Sequence, residues 1–260
     1  MDLGINGRKA IVCASSRGLG KACAISLATN GVHVTLNGRD ESVLATTAEE
    51  IRRLAPNIDV VTVAGNVSDP QCQQALLDAT PGADILINNN GGPPFRDFRE
   101  LDREAMTEGV TMNMITPIEM ISGVIDGMSA RGFGRIVNIT SISVKKPVLG
   151  LDLSSGARAG LTAFLAGVSR SVAHNNVTIN NILPGFFNTD RLQGSFKASA
   201  SALGITVEDA AEQRSAQIPA KRFGEPEEFG EACAFLCSNQ AGYITGQNLL
   251  LDGGVFESAF

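Results

Sequence analysis

The 260-residue chain has no tryptophan, a single tyrosine and only two histidines. With His33 in a strand-like stretch and His174 near a helix end, a His-rich metal centre or a His-based nucleophile relay has little to draw on. Both read as structural, and no metal is expected. Five cysteines, at 13, 23, 72, 233 and 237, include no CxxC pair, and read as small core residues of a reduced compartment. No apolar run approaches the ~18 residues that span a bilayer. Met1-Asp2-Leu3-Gly4 also puts an acid where a signal peptide carries positive charge. A cytoplasmic protein without a membrane partner is therefore expected. Basic charge is short as well: 21 Lys and Arg against 27 Asp and Glu leave a net charge of −6, which argues against a nucleic-acid partner.

What the chain does have is 43% hydrophobic residues, 28 glycines and only 18% charged residues, a composition that folds into a compact core rather than remaining disordered. Strand-length apolar runs at 10–14, 32–36, 60–64, 85–88, 136–139, 178–183 and 248–251 alternate with helical patterns. Those patterns cover 20–30, 42–54, 69–80, 102–128, 154–174 and 226–237, the last opening on Pro226-Glu227-Glu228, good helix-start chemistry. Most strands are apolar throughout rather than alternating, as strands buried on both faces are. The expected fold is α/β: a doubly wound, mainly parallel seven-stranded sheet of Rossmann type with helices on both faces. No linker divides the chain, so 1–260 reads as one dinucleotide-binding domain. The alternation is broken at 186–221, a Ser/Ala-rich stretch with Phe186, Phe187 and Phe196. It reads either as a substrate lid or as a surface hairpin that helps an oligomer assemble.

The first strand runs into Ser15-Ser16-Arg17-Gly18-Leu19-Gly20 and then a helix, placing backbone amides and a positive helix end where a pyrophosphate would lie. Here the sequence resembles the short-chain dehydrogenase/reductase family, in its 3-oxoacyl-ACP-reductase-like branch. That family's G-x-x-x-G-x-G turn reads Ala14-Ser15-Ser16-Arg17-Gly18-Leu19-Gly20. Ala tolerates positive φ poorly, so an ordinary backbone is expected at Ala14. Asn88-Asn89-Asn90-Gly91 resembles the family's N-N-A-G, Asn113 its helical Asn, and Pro184-Gly185 with Thr189 its turn near the nicotinamide. Tyr243-Ile244-Thr245-Gly246 and Asp252-Gly253-Gly254 resemble its C-terminal signature. The resemblance implies that Asn66 and Val67 hold the adenine edge, and that Asn89 and Gly91 border the cofactor. An acid after the second strand would select NAD by holding the ribose hydroxyls, but Leu36 is followed by Asn37-Gly38-Arg39. Arg17 and Arg39 can instead converge on a 2′-phosphate, so NADP(H) is the expected cofactor.

The resemblance also implies a Ser that holds the substrate carbonyl, a Tyr that exchanges the proton and a Lys four residues later. Ser141 fits the first, but the Tyr position holds Ser154 and the Lys position Arg158. An aliphatic hydroxyl is too weak an acid to replace a phenol. Arg158, whose guanidinium ordinarily stays charged far above neutral pH, reads as a cofactor clamp rather than a proton relay. Asp152, Lys145, Lys146 or water held by Ser141, Ser154 and Asn113 are the alternative proton sources; Asp152 reads equally well as a helix cap, and the lysines as a solvated loop. Tyr243 reads as a packing or interface residue. The expected function is an NADP(H)-dependent oxidoreductase acting on a small to medium carbonyl or alcohol with a non-standard proton donor. The alternatives are a non-redox lyase, isomerase or hydrolase in the same pocket, and an inactive NADP(H)-binding subunit or sensor. By resemblance the chain forms a homotetramer or homodimer.

Overall fold

The computed structural model describes residues 2–93 and 95–258. Seven strands, β1 (Lys9–Val12), β2 (His33–Gly38), β3 (Val60–Ala64), β4 (Ile85–Asn88), β5 (Gly134–Ile139), β6 (Val177–Pro184) and β7 (Asn248–Leu251), form one sheet in the order β3-β2-β1-β4-β5-β6-β7. Every neighbouring pair is parallel. The order reverses at β1, which lies between β2 and β4, and a ligand crevice opens at the carboxyl edge of such a switch point.

The pleat explains how one sheet serves two cores. Ala10 and Val12 of β1 face a cluster built with α1 (Gly18–Thr29), α2 (Glu41–Leu54) and α9 (Pro226–Leu236), including Cys23, Leu27, Leu44, Ile51 and Phe229. Ile11 faces the other side, where Cys72 and Leu76 of α3 (Pro70–Ala79) meet Met120 and Leu161. Successive side chains point to opposite faces, so the central strands must be apolar throughout. β3 and β7, at the edges, are partly exposed.

The expected 102–128 helix is present but interrupted. α4 (Arg103–Val110) passes through a π turn at Thr111–Ile115 into α5 (Thr116–Arg131). α6 (Asp152–Val172) starts two residues earlier than the pattern suggested. The 186–221 segment folds into α7 (Asp190–Leu203) and α8 (Val207–Ala216), with a small core of their own around Phe196, Ala200 and Ala210. No described helix is long and apolar enough to cross a membrane.

α1 and α9 pack in close contact because Gly230 has no side chain: a Cβ there would stand 2.5 Å from the carbonyl oxygen of Ala22. Gly230→Ala must push the two helices apart. Overpacking of this kind typically destabilises by about 1–3 kcal/mol, and a drop of that size in the chemical-denaturation free energy is expected.

Candidate cofactor and active site

The turn after β1 departs from expectation at its first residue: Ala14 has φ +44, in the left-handed region. The predicted ordinary backbone is therefore wrong. The conformation is held from three sides: Ala14 N donates to Asn37 Oδ1 at 3.1 Å, its carbonyl accepts from Asn89 Nδ2 at 3.1 Å, and Ser15 N donates to the Asn37 carbonyl at 2.7 Å. Three fixed bonds outweigh a strain of about 1–2 kcal/mol. Gly20 is required, since a Cβ would collide with the Ala14 carbonyl, and Gly18 has φ +55.

Of the turn residues, Ser15 is buried and its hydroxyl donates to Val12 O at 2.8 Å, so it braces the loop from beneath. Ser16 lies against Gly38 and accepts from Thr47 through its carbonyl. Arg17 is the N-cap of α1 yet supplies no side-chain cap, whereas α2, α3 and α4 are capped by Asp40, Asp69 and Asp102. The α1 terminus around Gly18, Leu19 and Gly20 therefore lacks both a side-chain cap and a first-turn acid. Its open amides and positive dipole end suit a dinucleotide pyrophosphate.

Beside it, Arg17 and Arg39 are exposed, and neither pairs with a carboxylate within 4 Å among the described residues. Of the two acids after β2, Asp40 turns to cap α2 and Glu41 lies in the first turn of that helix. The Ser42 hydroxyl and the Val43 amide hold the Asp40 carboxyl below the usual carboxylate range. This donor set fits a 2′-phosphate and does not present an acid to ribose hydroxyls. Asn66 and Val67 follow β3; Asn66 Oδ1 accepts from Ser68 N, so its side chain shapes the loop. Asn89 is engaged by Ala14, as described above, and Gly91 is exposed at the carboxyl end of β4. Pro184 ends β6, and a Cβ on Gly185 would overlap Asp252. Thr189 precedes α7 and leans over Gly18, placing the 186–221 insertion beside the turn.

On the other side of β4, β5 ends at Ile139. Ser141 starts a short 3₁₀ turn, its hydroxyl accepting from Ser143 N at 3.1 Å. One turn of α6 separates Ser154 from Arg158, and the guanidinium bonds Ser154 Oγ through Nε at 3.2 Å and Ile139 O through Nη1 at 2.8 Å. The structure thus brings Ser154, Arg158 and the end of β5 together. Burial pulls the Arg158 guanidinium down to about 10, with Arg191 adding repulsion. The ordinary value expected from the sequence is corrected, although the group remains cationic at neutral pH. Asn113 lies buried in the π turn, donating to Gly109 O at 3.2 Å, with its Oδ1 unpartnered. Single π turns inside helices occur frequently at functional sites.

The side-chain alternatives for the proton source have other surroundings. Lys146 bonds Val255 O and Glu257, and Lys145 lies over Phe256. Asp152 is an exposed first-turn residue of α6 and caps nothing, against the cap reading. Tyr243 is fully exposed, so packing within the chain is ruled out for it. His33 Nδ1 accepts from Asp59 N, a structural role. All five cysteines are free and buried, and desolvation pushes the Cys13 thiol up to about 12, so no thiolate forms there at neutral pH. Sequence reasoning named Asn37 and Asn88 only within longer stretches, without a role of their own, and passed over Asn138 and Arg191. Asn88 Nδ2 bridges Pro117 O and Asn138 Oδ1 across adjacent strands beneath the site. Asparagine inside an otherwise apolar strand was the available signal.

Residues 13–256 match the family model described as Enoyl-(Acyl carrier protein) reductase. The chain is 32% identical to the NADPH-dependent reductase BacG of Bacillus subtilis over 255 residues, covering 96% of this chain and 98% of that protein. It is 31% identical to the 3-oxoacyl-[acyl-carrier-protein] reductase FabG of Vibrio cholerae over 261 residues, covering 98% and 99%. The solved structure of L-sorbose reductase from Gluconobacter frateurii, complexed with NADPH and L-sorbose, superposes with a TM-score of 0.94 at 28% identity, covering 99% of this chain and 100% of that one.

Removing the Cβ at position 14 should relieve the positive-φ strain. Ala14→Gly is expected to raise stability by about 1 kcal/mol, read as an increased denaturation midpoint. An unchanged or lowered midpoint would mean that the turn holds Ala14 without strain.

Proposed function

Because the chain belongs to the short-chain dehydrogenase/reductase family, we propose that it moves hydride between NADP(H) and a small to medium carbonyl or alcohol, with water replacing the missing phenol. It is an oxidoreductase of that family's type and its cofactor is NADP(H). The observation that carries the substrate-side reading is the constellation at the end of β5: Ser154 and Arg158 joined by a hydrogen bond, with Arg158 anchored on Ile139 O.

When bound, the nicotinamide supplies or accepts the hydride. The open end of α1 holds the pyrophosphate, and Arg17 and Arg39 take the 2′-phosphate. Asn66 and Val67 border the adenine, while Gly91, Pro184, Gly185 and Thr189 line the nicotinamide end. Asn89 acts through the turn it braces. Ser141 donates a hydrogen bond from its hydroxyl to the substrate oxygen, while its Oγ accepts from Ser143 N. Ser154 Oγ likewise accepts from Arg158 and leaves its own proton free to donate. Arg158 supplies positive charge where an alkoxide develops. An aliphatic hydroxyl is too weak an acid to supply the proton, so the proton passes from solvent, ordered by the two serines and the vacant acceptor of Asn113. Orientation and electrostatics thus provide the catalysis, and the substrate must be an activated carbonyl. The α7–α8 pair is the lid over this pocket.

The reading is tested by following nicotinamide absorbance with a panel of ketones, aldehydes and alcohols. Cofactor binding without turnover across the panel would favour a sensor or inactive subunit instead. For cofactor choice, Arg39→Asp is expected to weaken NADPH binding by ~10-fold or more while leaving NADH within a few-fold, since a charge-assisted bond is worth about 1.5–3 kcal/mol. Equal losses for both would reject the role of Arg39. For the proton, the double variant Ser154→Tyr with Arg158→Lys should raise carbonyl reduction measurably; a folded variant with no gain would mean the pocket is built for other chemistry.

A further inference from the structure

The chain contains two buried arginines that serve as controls for one another. Arg135, almost wholly buried in β5, directs its guanidinium at neutral oxygens: Ser238 O, Gly134 O, Asn176 O and Asn176 Oδ1. It also lies 4.3 Å over the Phe133 ring. Its charge is solvated by the protein itself. Arg158 is 8% exposed but makes only two bonds, to Ser154 Oγ and Ile139 O. A guanidinium carries five N–H donors, so three have no partner among the described residues. No carboxylate pairs with it among the described residues. The acids nearest in sequence to Arg158 and Arg191, Asp152 and Asp190, are both exposed.

A second cation lies in the same field. Arg191, in the first turn of α7, lies flat against Gly92, where a Cβ would stand 2.8 Å from Nη1 and Nη2. Its charge is felt at Arg158. Arg191 is exposed to solvent, but Arg158 is buried, and a buried cation without a counter-ion is expensive unless an anion completes the site. Ribose hydroxyls would use donors but bring no charge. The cofactor's pyrophosphate belongs at α1, on the β1 turn, two strands from β5 and therefore about 10 Å away at ~4.8 Å per strand.

We propose that this site takes a carboxylate-bearing substrate, a 2-oxo acid or its 2-hydroxy counterpart, whose carboxylate is held by the free edge of the Arg158 guanidinium together with the Ser154 hydroxyl. This rests on the reading of the chain as an NADP(H)-dependent reductase and specifies its substrate class. Guanidinium and carboxylate meet in a planar, two-bond geometry that a lysine would not provide, which gives the Arg at this position a physical purpose. The neighbouring ketone oxygen of such an acid is also activated, as a pocket without a phenol requires.

The test is calorimetric titration with straight-chain 2-oxo acids of four to eight carbons, each against its ethyl ester. Titrations use protein saturated with NADP⁺, which blocks turnover, and cofactor-free protein. NADP⁺ binding is measured first, so failure of the cofactor reading registers separately from failure of the carboxylate reading. At least one acid is expected to bind tenfold or more tighter than its ester. Arg158→Lys should keep part of that preference and Arg158→Met should abolish it. If Arg158→Met does not fold, the wild-type comparison and Arg158→Lys still decide. Equal binding of every acid and its ester by the wild type overturns the proposal. So does a preference that survives Arg158→Met, or one that is lost only in Arg191→Met.

Discussion

Asn37 holds the cofactor end of the molecule together. Its Oδ1 accepts from Ala14 N at 3.1 Å, and its Nδ2 donates to Val63 O at 3.1 Å and Gly65 O at 3.2 Å. One amide side chain thus ties the turn after β1 to β2 and to the end of β3. A parallel sheet leaves ragged backbone groups at its carboxyl edge, and a buried group left unpaired there costs about 1–3 kcal/mol. By satisfying three at once, Asn37 fixes the turn in the shape that opens the α1 amides outward. Asn89 repeats the device from β4. The site is therefore braced from both neighbours of β1, and the positive φ at Ala14 is sustained by that bracing.

The same logic separates the two halves of the crevice. On the β1–β2 side the polar groups satisfy one another and only the helix end and two exposed guanidinia remain open. On the β5 side the reverse holds: Arg158 is buried, incompletely bonded and without a counter-ion, and Asn113 Oδ1 has no partner. Native structures leave few buried polar atoms unpaired. Within the crevice, Asn113 Oδ1 and the unbonded donors of Arg158 are where the proposed substrate would complete the protein's own hydrogen bonding.

The doubly wound sheet was legible because its causes are local: apolar strands at helical intervals, turn glycines, and acids where helices begin. The uncapped first helix was legible too, since Ser15 to Gly20 offers no acid of the kind that starts α2, α3 and α4. The backbone at Ala14 was not, because propensity favours negative φ there and only bonds from residues 23 and 75 positions away override it. The π turn at Asn113 was hidden for a similar reason: its sequence is compatible with a regular helix. Asp152 was misjudged as a cap because the helix starts at it rather than after it. The depressed pKa of Arg158 depends on burial and on Arg191, 33 residues away in the chain and brought near only by α7.

Losing the phenol and the amine together changes what the pocket can do in a single direction. A Tyr with a Lys four residues on forms a proton-transfer pair; a Ser with an Arg at the same spacing forms an anion receptor, since one contributes a hydroxyl donor and the other a permanent positive fork. The helix need not move for this exchange, because i and i+4 already lie on one face. In the proposed function the substrate arrives activated and the proton runs through solvent. A substrate that carries its own anion next to its carbonyl meets the first of these conditions and neutralises the buried cation as it binds.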